Sequence, residues 1–280
     1  MRVLDLATVL AKERELMNWY APYYERSILA NSYFYQEERR LFIAWVLRLL
    51  SVCGADPAAL AILNAGCAAG DILELLAAAG CRRLTGLDIA EAMLREAQRR
   101  LPSARFVHGA IEHHDFGAER FDVVITTLTL HHMHDPRAFF LLVDRVLNSR
   151  GWLFVLDYNA AGWENARWTK PVIHTLAAPL RRLIKWKNRS VLSQQPDLPL
   201  LFNPAHRLLS YQDLLGAMPR PEGYTLYRRT RGVFLPAFTH ALVRGSALDR
   251  FVYRSLEWID RVAEPFAAGN LQWIAGQRQA

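Results

Sequence analysis

The sequence predicts an α/β fold in which a mostly parallel sheet carries helices on both faces. Short apolar runs rich in β-branched residues recur between residues 57 and 160. Segments with helical periodicity separate them. One run, FDVVITTL, is apolar almost throughout, as a strand covered on both faces must be.

Each element follows in order. ALAILNA, closed by Gly66, reads as the first strand, and DILELLAAAG as a helix with Gly80 as its C′ residue. RRLTGLDI is the second strand, and AEAMLREAQRRL is a helix that ends before Pro102. ARFVHG and FDVVITTL are strands three and four. DPRAFFLLVDRVLNSRG is a helix with Pro136 in its first turn and Gly151 past its end, and GWLFVLDYN is strand five. Strands separated by helices require right-handed crossovers, hence parallel pairing. Further on, Ser210 and Asp213 form a capping-box pattern that opens the helix SYQDLLGAM. YTLYRRTRGVF reads as a strand, ALVRGSALDRFVYRSLEWIDRVAEPF as helical, and NLQWIAGQ as a final strand.

Between strand five and Ser210 lies a stretch that the sheet does not need. It holds Trp163, Trp168, Trp186, His174 and the basic helix LRRLIKWKNR. A connection of that length points to function. The expected division is therefore an N-terminal helical lid at 1–56 and a ligand-binding core at 57–160. A helical insertion at 161–209 forms part of the substrate pocket, and 210–280 completes the core with a helical insertion.

Composition narrows the class. The chain has 280 residues, 52% hydrophobic and 22% charged, which is a globular rather than a disordered balance. Asp157 interrupts the most apolar run, so no spanning helix is expected. The N-terminus shows no signal-peptide pattern. Three cysteines without metal spacing read as reduced thiols in a cytoplasmic protein. Charge is uneven: residues 1–150 hold 17 basic and 18 acidic side chains, and residues 151–280 hold 17 and 9. A basic half suits nucleic acid, a membrane surface, an anionic substrate or plain solvation.

In α/β sheets ligands bind beyond the carboxyl ends of the strands. After strand one, Gly66 lets the backbone turn close to a ligand, and Gly70 lets the next helix pack tightly. After strand two stands Asp88, where a carboxylate accepts both hydroxyls of a ribose. Together they indicate an adenosine-containing cofactor, NAD or S-adenosylmethionine. The loop G-C-A-A-G lacks the glycine spacing of a dinucleotide loop.

Here the chain resembles the class I S-adenosylmethionine-dependent methyltransferases, whose Rossmann-like fold is a seven-stranded, mostly parallel sheet with helices on both faces. NAGCAAG resembles their first motif, GLDIAEAML the ribose motif and FVHGAIEHHDF the adenine motif. FDVVITTLTLHHMHDP and RVLNSRGWLFVLDYN resemble the last two core motifs, most like the small-molecule branch that includes quinone-biosynthesis enzymes. The resemblance covers about residues 58–160, and HRLLSYQDLLGAM matches more loosely.

It implies S-adenosylmethionine as cofactor, with Gly66, Cys67 and Gly70 along the methionine portion. Asp88 would hold the ribose, Ile89 and Met93 would flank the adenine, and Ala110 and Ile111 would meet its edge. Thr127 and Leu128 would offer carbonyls to the ammonium. Asn64 stands where the family carries an acid, so restoring Asp there is expected to tighten binding. Ala68 replaces a glycine, and Ala110 replaces an Asp whose part Glu112 is placed to take.

Methyl transfer to a phenol or enol gains from a base. The candidates are His131, His132, His206 and Tyr158. No metal is expected, because the family's double histidine needs none. The segment 19–35 holds seven aromatics, of which Trp19, Tyr20, Tyr23 and Tyr24, with Trp163 from the insertion, are the expected substrate wall. Motifs of base-modifying enzymes are absent after strand four, so nucleic acid is not expected as partner. The basic helix at 176–189, with Leu176, Leu180, Leu183 and Ile184 near one face, suits either an anionic membrane or packing on the core. A homodimer stays open.

The expected activity is methylation of a small aromatic or polyketide-like metabolite, favouring oxygen over carbon or nitrogen. The alternative is a methyltransferase-fold protein with a non-methylating role, a rearrangement with bound cofactor or a binding partner.

Overall fold

A computed structural model of the chain describes residues 5–26, 32–162, 175, 178–192, 208–232, 242, 247–263 and 270–280. Two helices, α1 (Leu6–Tyr20) and α2 (Tyr33–Val52), come first. The core then alternates β1 (Ala61–Ala65), α3 (Asp71–Ala78), β2 (Arg83–Asp88), α4 (Glu91–Arg100) and β3 (Arg105–His108). It continues through β4 (Phe121–Thr127), α5 (Pro136–Val146) and β5 (Leu147–Tyr158). Next come α6 (Ala178–Lys187), the short α7 (Arg189–Leu192), α8 (Tyr211–Ala217), β6 (Tyr224–Arg231), α9 (Ala247–Ala263) and β7 (Leu271–Arg278).

The seven strands form one sheet in the order β3-β2-β1-β4-β5-β7-β6. All pairings from β3 to β5 are parallel, and β7 runs antiparallel to both β5 and β6. This is the Rossmann-like fold that the class I resemblance implies. Side chains alternate between two apolar layers, because successive strand residues point to opposite faces. Leu63, Ala65 and Val124 join Phe139 and Val143 of α5 on one face. Ile62, Val123 and Ile125 join Phe42 and Val46 of α2 and Ile72 of α3 on the other.

Three boundaries differ from expectation. First, α5 stops at Val146, and β5 begins at Leu147, which pairs with Phe121. The helix is capped early because Asn148 Nδ2 donates to Asp122 Oδ1 at 2.8 Å and Arg150 turns at φ 62. Second, α2 is a core helix, since Phe42, Val46 and Leu50 are buried against the sheet. Among the described residues of this N-terminal part, α1 and the turn Ala21–Arg26 cover the cleft, and α2 contributes Arg39 to its lining. Third, α6 packs inward through Ile184, whereas Leu180 and Leu183 face solvent. Leu176 lies outside the described residues. The capping box at Ser210 and Asp213 has both of its hydrogen bonds.

The switch point falls at β1, whose neighbours β2 and β4 leave in opposite directions. A cleft opens at its carboxyl end, roofed by α1.

Candidate active site

The cleft is a cavity of about 390 Å³, within the range of small-molecule sites. Its floor is the loop after β1. Gly66 has φ 73, and a Cβ there would meet Thr129 at 2.4 Å, so only glycine fits. Gly66 N and Cys67 N donate to Leu87 O at 2.8 and 3.1 Å, which fastens the loop to the end of β2. Ala68 keeps a left-handed φ of 44 despite its methyl. Its N–H donates to Asp88 Oδ2 at 2.8 Å, while Asp88 Oδ1 accepts from Ala90 N at 2.9 Å. Asp88 thus ties the loop to the start of α4. Each of its oxygens keeps a second lone pair for a diol. Burial raises the Asp88 pKa above the usual carboxylate range, and the two N–H donors oppose this.

Gly70 does not line the cleft. A Cβ on it would meet Ala97 Cβ at 3.2 Å, so its smallness serves the packing of α3 against α4. Asn64 does not line the cleft either. It is wholly buried in β1, its Nδ2 donates to Ile125 O at 3.2 Å, and its Oδ1 is buried without a partner. Cys67 does line the floor, and burial pushes its thiol well above the ordinary value, leaving it inert. Ile89, Met93, Ala110 and Ile111 form the wall beyond Asp88, with Glu112 beside them. Thr127 and Leu128 close the β4 side.

At the mouth of β4 and β5 lies a cluster that the sequence reading had only in part. His131 Nδ1 is 2.7 Å from Asp157 Oδ1. Asp157 is wholly buried and also accepts from Leu130 N at 2.8 Å and Tyr158 N at 2.7 Å. Burial alone would raise the Asp157 pKa, but His131 and the N–H donors hold it below the usual range. For His131 burial dominates and lowers the pKa, against the pull of Asp157. The pair is thus a carboxylate beside a neutral imidazole at pH 7. With Nδ1–H pointing at the carboxylate, the tautomer carries its basic lone pair on Nε2.

His132 turns to another acid. Its Nδ1 lies 2.9 Å from Glu13 Oε1 of α1, which joins the roof to the site. Tyr158 hydrogen-bonds Tyr35 across 2.7 Å, and burial raises its pKa well above the ordinary phenol. That removes Tyr158 as a base and leaves it as a neutral hydrogen-bonding wall. His206 and Trp163 lie outside the described residues.

Of the expected aromatic wall, Tyr20 and Tyr24 line the cleft. Trp19 and Tyr23 do not; their rings pack together at 5.3 Å on the outer side of α1, with Trp19 exposed. Tyr24 reaches Asp71 by a short hydrogen bond. Arg39 binds Asp71 at 3.0 Å, and Arg100 binds it at 2.8 Å. Asp71 stands in the first turn of α3. It already satisfies the positive helix end that a pyrophosphate would use.

The cleft is lined by the carboxylates of Glu13, Asp71, Asp88 and Glu112 against the guanidinium of Arg39. That balance favours a cationic ligand over an anionic one. A ribose acceptor, a loop that excludes side chains and an acidic lining fit S-adenosylmethionine and not a dinucleotide. Among the described residues no group of three His, Cys, Asp or Glu side chains is arranged to hold a metal.

Comparison with known proteins gives the same reading. A family model described as a methyltransferase domain matches residues 63–155. Residues 63–155 are thus similar to a methyltransferase domain, and they are the part of the chain that builds the cleft. An uncharacterized methyltransferase of Mycobacterium tuberculosis is 31% identical over 112 residues, which cover 38% of this chain and 55% of that protein. A Mycobacterium bovis methyltransferase matches to the same extent. The chain thus spans about half the length of these curated relatives.

Among solved structures, the plantazolicin methyltransferase BpumL in complex with S-adenosylhomocysteine aligns with a TM-score of 0.54, at 17% identity over 98% of both chains. A possible histamine N-methyltransferase of Thermotoga maritima aligns at 0.55, with 16% identity over 95% and 99%. The phosphoethanolamine N-methyltransferase 2 of Haemonchus contortus, in complex with S-adenosylmethionine, gives 0.56 at 13% identity over 99% of this chain and 61% of that one. At these identities the likeness is one of fold.

Asp157, Glu13, Tyr35, Arg39 and Asp71 were not singled out from sequence. Only Asp157 carried a signal, as a lone carboxylate inside an apolar strand run. The others meet the site through tertiary packing.

Proposed function

We propose that this chain methylates the hydroxyl of a small, apolar, planar acceptor, with His131 as general base and Asp157 as its positioning residue. The carrying observation is the buried Asp157–His131 pair at 2.7 Å beside the cofactor cleft. S-adenosylmethionine, when bound, supplies an electrophilic methyl on its sulfonium. Asp88, the Gly66–Ala68 loop and Met93 are the residues suited to hold it. His131 Nε2 takes the acceptor's proton, and Asp157 stabilises the imidazolium that results. Tyr20, Leu16 and Met17 of α1 give the roof an apolar inner face that favours a ring and excludes water.

A base poised before transfer favours a hydroxyl over an amine. A neutral amine attacks with its own lone pair and loses its proton afterwards, whereas a phenol or enol needs deprotonation first.

The test is conversion of S-adenosylmethionine to S-adenosylhomocysteine across a panel of phenols, enols and amines. Phenol or enol turnover is expected, falling about 100-fold or more in His131→Ala. Turnover restricted to amines, or unchanged in His131→Ala, would sink the assignment.

A further inference from the structure

We infer that α6 and α9 together form a docking face for the surface of an anionic lipid bilayer. Each helix is apolar on two sides. α9 buries Val252 and Tyr253. On the opposite side it exposes Leu248, Phe251, Trp258, Ile259 and Val262, with Phe251 at 69% and Trp258 at 68% accessibility. These positions recur turn by turn and make a continuous stripe. α6 buries Ile184 and exposes Leu180, Leu183 and Trp186, the last at 64%. An exposed apolar area of this size marks a site of interaction.

The two helices are joined. Asp249, wholly buried at the start of α9, accepts from Asn188 Nδ2 at 2.9 Å and Lys187 Nζ at 3.5 Å, just past α6. Their buried faces share one apolar cluster with Phe34 and Tyr35. We take their solvent-facing sides, set on the same core, as one surface.

That surface is basic. Residues 178–192 contain no acid, and α6 exposes Arg182 and Lys185, with Arg189 stacked over Trp186 at 4.9 Å. Arg250, Arg254 and Arg261 flank the stripe on α9. A groove separates α9 from α2; Arg261 on the α9 side is paired with Glu257, and Arg40 on the α2 side with Glu37. Arg250 and Arg254 have no ion pair among the described residues and border that groove beside Trp258. Unpaired guanidinium groups next to an exposed indole match the chemistry of a phosphate headgroup above an acyl layer.

Charge decides between occupants. A second copy set face to face would bring like charges together. Phe251, Trp258 and Trp186 could each meet a base, but the Leu248, Ile259, Val262, Leu180 and Leu183 between them add aliphatic area that stacked bases do not cover and an acyl layer does. An anionic bilayer satisfies both the apolar stripe and its basic border.

The experiment is co-sedimentation of the full chain with vesicles of phosphatidylcholine alone and of phosphatidylcholine with phosphatidylglycerol, three to one. Binding to the anionic vesicles, a blue shift of tryptophan emission and weakening by salt are expected. Trp186→Ser with Trp258→Ser, and separately Arg250→Glu with Arg254→Glu, should each weaken it by about tenfold or more. Both pairs lie on the surface, and their cofactor-induced thermal shift should equal the wild type's, which shows that the fold persists. Equal binding to neutral vesicles, or full binding by either double variant, overturns the proposal. So does a dimer in light scattering that these variants dissociate, or RNA binding that they abolish while vesicles are ignored.

Discussion

On the β1–β2 side of the cleft the ligand surface is mostly main chain. Gly66, Cys67 and Ala68 present backbone, and one carboxylate, Asp88, both locks the loop and faces the cavity. On the β4–β5 side and under α1 the surface is side chains held by partners: His131 by Asp157, His132 by Glu13, Tyr158 by Tyr35. The first side is built from neighbours in sequence, the second from residues far apart. A main-chain surface accepts one ligand regardless of surrounding substitutions. A side-chain surface changes with each partner, which suits a variable acceptor.

The largest effect is expected where one residue serves both structure and ligand. Asp88→Ala removes the acceptor of Ala68 N and Ala90 N and the diol partner together. Wild type at a hundredfold excess of cofactor over Kd should gain about 2.7 kcal/mol in thermal unfolding. The variant should gain none and should melt lower even without cofactor. A retained shift would show that the loop alone binds.

The acceptor side should separate cleanly from this. Asp157→Asn is expected to lower kcat by about 100-fold or more while the cofactor-induced shift is kept. Its pH profile sharpens the point. His131 has a folded pKa lowered by burial, so it stays neutral through pH 7 and gains a proton only below the ordinary histidine range. The kcat/KM of the wild type should therefore fall on the acid side beneath about 6.5, and replacing the Asp157 charge should move that limb lower still. The same sign holds for stability, whose His131 contribution is present above the unfolded pKa and is lost as pH falls. An acid limb unmoved in Asp157→Asn would remove the pair from the reaction.

Asn64→Asp tests the border between the two sides. In place of a tighter cofactor, we expect a loss of about 1–3 kcal/mol in stability, because a carboxylate would face Ile125 O where an amide now donates. Urea unfolding measures it, and a gain in stability would show that the buried side chain has another partner. The smallest effect belongs to Glu13→Gln. Weakening the contact from the roof to His132 should raise the acceptor KM by a few fold at most, since partly exposed polar pairs contribute about 1 kcal/mol or less. An unchanged KM would mean that α1 stays closed through its apolar contacts alone.

The same contrast explains what the sequence disclosed. Strands β1 to β5 and their helices were legible because apolar period and Gly, Pro and Asp punctuation act locally. Asp88 was legible for the same reason, since its partners Ala68 and Ala90 belong to adjoining turns. Gly70 was legible as a helix start, but spacing does not disclose its packing against Ala97. Motif position likewise does not disclose that the Asn64 amide donates to Ile125 O across the sheet. Glu13 and His132 lie in separate elements, and no periodicity links them. Trp19 and Tyr23 carried aromatic type without orientation, and a helix sends neighbours to different sides.

The placement of β7 also sets an order of assembly. Among the described residues, 271–278 form the strand that joins β6 to β5. While the chain is being synthesised, β1 to β5 can associate as they emerge, but β5 keeps an open edge until residue 278 has left the ribosome. During that interval β6 and the sticky faces of α6 and α9 exist without their scaffold. The cleft therefore depends on a strand made after all the other described ones, and nascent chains stalled before it are the ones a chaperone would have to shield.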